Sequence, residues 1–139
     1  FAVVMAVHQD TGTDEIEGYD GLARRSPFLA AVMTVSLLSM AGIPPLAGFV
    51  GKFYLFSAAV EQGFLWLALL GFVMSMISVY YYLLIAKAMY LHEPVGAKAV
   101  PISQPLGLAA LVSLILTIFF GIYPGPLADL ATVAARSLF

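Results

Sequence analysis

The sequence has no cysteine, which removes disulfides, thiolate metal sites and cysteine nucleophiles together. Charge is scarce as well. Only 10% of the 139 residues are Asp, Glu, Lys or Arg, against about 25% in an ordinary globular domain. The formal net charge is −2, so there is no broad basic footprint for nucleic acid. The composition is also not that of a disordered segment, which would be poor in aromatics and rich in charge. What is abundant is apolar surface. Hydrophobic residues make up 62% of the chain, above the roughly 45–50% of average soluble usage. A soluble fold of this length has too little interior to hide that surface. A soluble enzyme is therefore excluded, and the class that fits is all-α, a polytopic transmembrane helical bundle.

The chain opens at Phe1 inside an apolar run that ends at Val7. Seven residues fall short of the about 20 needed to span a bilayer, and the run lacks the basic n-region of a signal peptide. Residues 1–7 are expected to be the end of a spanning helix that begins earlier, in a longer protein. Residues 8–27 form a polar loop with five acids (Asp10, Asp14, Glu15, Glu17, Asp20) followed by Arg24 and Arg25. Within it, residues 18–25 suit a short interfacial turn or helix, and Pro27 suits the first turn of the next helix. Residues 64–91 make a span with Phe64, Trp66 and Tyr90 at its ends, the pattern of interfacial anchoring. A loop over 92–104 contains Pro94, Gly96 and Pro101, a further span covers 105–123, and residues 125–139 read as an amphipathic interfacial helix. Arg24, Arg25, Lys87 and Lys98 gather on one side and only Arg136 on the other. The positive-inside rule then places loops 8–27 and 92–104 in the cytoplasm and the C-terminus outside.

The segment 28–61 is different. From Phe28 to Val60 the only charge is Lys52. Those residues would extend roughly 50 Å as one helix, while a hydrocarbon core is about 30 Å thick. The run Ala41-Gly42-Ile43-Pro44-Pro45-Leu46-Ala47-Gly48 resolves the mismatch. Two prolines remove two donors and bias Ile43 away from helical geometry, and the flanking glycines permit a sharp bend. We expect one discontinuous helix, broken near 42–47, with Gly42, Pro44, Pro45 and Gly48 as the break. Irregular backbone at that depth is tolerated only where it is buried in protein or lines a wet cavity.

Lys52 lies nine residues before Glu61, about 13 Å along a helix, too deep for easy snorkelling. A charge near the bilayer centre costs roughly 2.5–3.5 kcal/mol on insertion scales, and such residues usually mark an ion path. A lysine taken out of water releases its proton more readily, so Lys52 beside a helix break has the chemistry of a proton relay. The bland alternative is a lysine paired with a carboxylate on another helix, anchoring assembly alone. No carboxylate within these spans suits that pairing. Ser39, Tyr54, Ser75, Ser78 and Tyr81 are candidate water-path residues, although membrane serines mostly make local bonds and of three consecutive tyrosines, 80–82, at most two can face Lys52. Ser57 is a weaker candidate, and Glu61 reads first as a solvated acid in a turn. No metal or cofactor site is expected.

The run Gly42-Ile43-Pro44-Pro45-Leu46-Ala47-Gly48-Phe49-Val50-Gly51-Lys52-Phe53-Tyr54-Leu55-Phe56 closely resembles the twelfth, discontinuous helix of the antiporter-like subunits of respiratory complex I. Its Gly-Ile-Pro-Pro…Gly-Phe core is shared with multisubunit sodium/proton antiporters and membrane-bound hydrogenases. Gly51-Lys52-Phe53-Tyr54-Leu55-Phe56, Tyr80-Tyr81-Tyr82-Leu83, Met89-Tyr90, Tyr19-Asp20-Gly21-Leu22 and Arg25-Ser26-Pro27 are similar to the subunit N branch of bacterial NADH:quinone oxidoreductase. The resemblance implies the end of helix eleven through helix fourteen of a proton-translocating membrane subunit of the bacterial inner membrane. It implies a catalytic role for Lys52 in the half-channel that leads outward. The glutamate and lysines of the family's central proton path have no counterpart in this chain. It also implies that NADH, flavin, iron–sulfur clusters and quinone belong to partner subunits. The expected partners are the other membrane subunits of the complex, the lipid bilayer and protons. Two alternatives stay open: a subunit of a cation/proton antiporter, and a membrane scaffold with Lys52 as its assembly anchor.

Overall fold

The computed structural model describes residues 1–94, 96 and 98–138, with Ser137 and Leu138 described by their backbone only. Val95 and Ala97 of the expected 92–104 loop, and Phe139 of the expected terminal helix, lie outside the described residues. Among the described residues the regular structure is all helical. Helix α1 is Ala2–Thr11, followed by a 3₁₀ turn, Ile16–Tyr19, and a single-turn helix α2, Leu22–Arg25. Then come α3 (Pro27–Ala41), α4 (Ala47–Glu61), α5 (Leu65–Leu91), α6 (Gln104–Ile122) and α7 (Gly125–Leu138).

The first helix runs four residues past Val7. Its end is set by Gly12, which takes a left-handed conformation (φ 72°) and donates its N–H to the His8 carbonyl. Polar residues begin at His8, and the chain stays helical until a residue that tolerates positive φ closes the last turn. Pro27 opens α3 without losing a helical bond.

Helices α5 and α6 are long and apolar enough to cross a membrane, with mean hydropathies of 2.0 and 2.3. The 27 residues of α5 reach about 40 Å. Each of the 15-residue helices α3 and α4 reaches only about 22 Å. They lie in succession along α5. The Thr34 hydroxyl of α3 sits 3.2 Å from the Tyr90 hydroxyl near one end of α5, while Phe56 of α4 covers Gly71 near the other. The two short helices are thus halves of one interrupted span, running antiparallel to the continuous α5.

The polar loops meet at one end of the bundle. Arg25 pairs with Asp10 and donates from Nε to the Lys98 carbonyl at 2.9 Å. His92 Nδ1 lies 2.9 Å from Asp20 Oδ1, and the Gly21 N–H bonds to the Ala88 carbonyl. Beneath them Val7, Leu22, Leu29 and Met89 are fully buried, and the core continues through Val3, Val32, Leu37, Val100 and Ala110.

Candidate functional site

The last turn of α3 is closed by a glycine-centred pair of bonds. Gly42 is left-handed (φ 87°) and donates to the Ser39 carbonyl at 3.0 Å, while Ile43 donates to the Leu38 carbonyl at 3.1 Å. These two hydrogen bonds satisfy two of the terminal carbonyls of the helix and leave others to be met from outside. The chain then passes through Ile43-Pro44-Pro45-Leu46, where the Pro44–Pro45 peptide is cis and the Leu46 N–H returns to the Ile43 carbonyl.

Helix α4 begins at Ala47 without a side-chain cap from Leu46. Ser39 takes the capping role from the other half-helix: its hydroxyl accepts the Gly48 N–H at 3.0 Å. The approach needed for that bond is very close. A Cβ on Gly48 would stand 1.9 Å from the Ser39 carbonyl oxygen. On the far side, a Cβ on Gly121 of α6 would stand 2.0 Å from the Pro45 carbonyl oxygen. The break is therefore wedged between its own two halves and α6, at points where only glycine fits.

Lys52 lies in the second turn of α4, and its side chain folds back across Gly42. A Cβ on Gly42 would meet Lys52 Cδ at 3.1 Å. The ammonium donates to the Ala41 carbonyl at 3.3 Å. Among the described residues its hydrogen-bond partner is a terminal carbonyl of α3. That carbonyl stands at the C-terminal end of α3, and Lys52 reaches it from the second turn of α4.

Lys52 opens into a cavity of about 580 Å³ between α4 and α5. Its polar lining is Lys52, Ser57, Ser75 and Glu61, set among aromatic residues such as Phe49, Phe56 and Phe72. Of the residues expected from sequence, Gly42 and Ser75 join Lys52 here, while Ser39, Pro44, Pro45 and Gly48 form the break beside it. The others lie elsewhere. Ser78 bonds to the Met74 carbonyl one turn back. Tyr81 is 60% exposed with its ring edge against Tyr80. Tyr54 faces a separate cavity of about 460 Å³ between α4 and α7, shared with Leu127 and Thr132. Ser57 and Glu61, read from sequence as a weaker candidate and a solvated turn acid, line this cavity, and the Ala41 carbonyl was not foreseen. The signal for the last was a glycine closing an apolar helix, which implies orphan carbonyls nearby. Among the described residues, no three His, Asp or Glu side chains gather as a metal site would require.

Residues 1–78 match the family model described as NADH:quinone oxidoreductase/Mrp antiporter, TM. The chain belongs to this family. The matched stretch holds both half-helices, Lys52 and Ser75. Among its curated relatives, NADH-quinone oxidoreductase subunit N of Heliobacterium modesticaldum is 58% identical over 139 residues, covering 100% of this chain and 29% of the relative. Subunit N of Desulfitobacterium hafniense is 59% identical over 138 residues, covering 99% and 28%. A chain in the structure of respiratory complex I from Thermus thermophilus with bound aureothin superposes with a TM-score of 0.72 at 34% identity. That match covers 79% of this family member and 26% of the solved chain. The chain thus spans less than a third of the length of the relatives it matches.

Proposed function

We propose that this chain forms part of the membrane domain of a bacterial NADH:quinone oxidoreductase, in the place of subunit N, and that Lys52 relays protons through it. The observation that carries this reading is the placement of Lys52. It is the lone charge between Phe28 and Val60, yet it ends on a backbone carbonyl at a helix break and borders a cavity with polar groups. The alternative, an assembly anchor, would pair Lys52 with a carboxylate from a helix outside this chain, and the Lys52→Ala variant separates the two. The identity to subunit N relatives supports the oxidoreductase assignment over the antiporter one.

In this reading the Lys52 amine takes up a proton from the central path of the complex and passes it outward. The irregular backbone at Pro44–Pro45 admits the water that carries it. Quinone reduction, which drives the transfer, takes place in other subunits, together with NADH, flavin and iron–sulfur chemistry. The chain sits in the bacterial inner membrane, with loops 8–27 and 92–104 cytoplasmic and the C-terminus outside. The clustering of Arg24, Arg25 and Lys98 at one end supports that orientation. Helix α7 lies at the outer interface.

Lys52→Ala in the intact complex is expected to assemble and to lose most proton pumping, with electron transfer falling alongside. Blue-native gels beside pumping measured in proteoliposomes test this. Failure to assemble supports the anchor reading, and normal pumping in assembled complex removes the relay.

A further inference from the structure

The cavity beside Lys52 has a second titratable group, and its position is not required by the fold. Glu61 ends α4 and lines the same cavity as Lys52. Lys52 and Glu61 are the titratable groups among its lining residues. Glu61 is exposed and makes no ion pair among the described residues. A carboxylate in the last turn of a helix opposes the helix dipole, so this one contributes nothing to holding α4 together. The two serines fall between the ends of the path. Ser75 lies on α5 in the stretch that faces Lys52, and Ser57 lies on α4 between Lys52 and Glu61. Each hydroxyl can both donate and accept, which is what a proton hopping along water requires.

We propose that Glu61 is the terminal proton acceptor of this cavity, taking the proton that leaves Lys52 and releasing it to the outer aqueous phase. This rests on the relay role given to Lys52 and adds the group that completes its outward half. In the step, the Lys52 ammonium gives a proton to cavity water and becomes an amine. The excess proton moves past Ser75 and Ser57, and the Glu61 carboxylate becomes a carboxylic acid. Loss of that proton to bulk water restores the carboxylate. No bond other than O–H and N–H bonds is made or broken. Between the two ends lie about 13 Å of helix, too far for direct transfer and short enough for a few waters.

The test uses the assembled complex in proteoliposomes, with rates expressed per complex on blue-native gels. Glu61→Gln is expected to slow proton pumping about a hundredfold, the low end of what a positioned acid–base group contributes. Glu61→Asp should recover most of the rate. Formate or azide added on the outer side should restore pumping in Glu61→Gln, since a small weak acid replaces the missing acceptor. Normal pumping in Glu61→Gln overturns the proposal. So does a slow variant that neither the aspartate nor the weak acids rescue, because that pattern is structural. Lys52→Ala, measured beside it, separates the two readings. A slow Lys52→Ala with a normal Glu61→Gln removes Glu61 alone, and normal rates in both remove the relay as well.

Discussion

Around the polar loops, Val7, Leu22, Leu29 and Met89 are all under 2% exposed, whereas no residue of α4 is buried. The contrast runs against the composition, since residues 8–26 are the most polar stretch of the chain and α4 is among the apolar ones. The loop segment buries its few apolar side chains against the ends of α1, α3 and α5. Helices α4 and α6 meet by close approach, with Gly121 against Pro45 and Leu46. The polar end is thus packed within this chain itself, while α4 offers its faces to whatever surrounds it.

Exchange of a single atom should break the open region most severely. Gly48→Ala places a Cβ against the Ser39 backbone, which cannot move aside as a side chain would. The cost exceeds the roughly 1–3 kcal/mol typical of overpacking, and assembled complex is expected to disappear from blue-native gels. Gly51→Ala, which meets nothing within 4 Å, should leave assembly unchanged. In the closed region, Leu22→Ala removes a fully buried side chain and should cost about 2–5 kcal/mol. The complex is expected to assemble but to show a lowered Tm and faster proteolysis in residues 8–26, with pumping retained per complex. The smallest effect concerns Tyr19. Burial, with Asp14 adding to it, pushes its phenol above the ordinary value of 10.0. Unfolded chain then loses this proton at lower pH than folded chain, so the contribution is complete below pH 10.0 and is lost as pH rises through the folded value. Loop proteolysis should therefore accelerate at high pH, and Tyr19→Phe should remove that part of the dependence.

The helical class and the interruption of one span were legible because their causes are local. Proline removes a donor, glycine allows positive φ, and a length of 33 residues does not fit a bilayer, all of which can be read from residues 28–60 alone. The deep lysine was legible for the same reason. The cavity was not, because its lining depends on how α5 is rotated. Phe56 seats on Gly71 and Tyr90 meets Thr34, contacts with no signature in either helix by itself. The rotation turns Ser75 toward Lys52 and leaves Ser78 bonded to its own helix and Tyr81 outside. The partner of Lys52 escaped notice because it is a backbone atom. A search by side-chain charge cannot find the Ala41 carbonyl, though Gly42 announces where it lies.

Lys52→Arg separates relay from anchor most directly. Arginine keeps the positive charge and the donors that reach the Ala41 carbonyl, but it does not release its proton in proteins. The relay account predicts a normally assembled complex whose proton pumping, measured per complex in proteoliposomes, is as impaired as that of Lys52→Ala. Pumping at the parental rate in Lys52→Arg would contradict it.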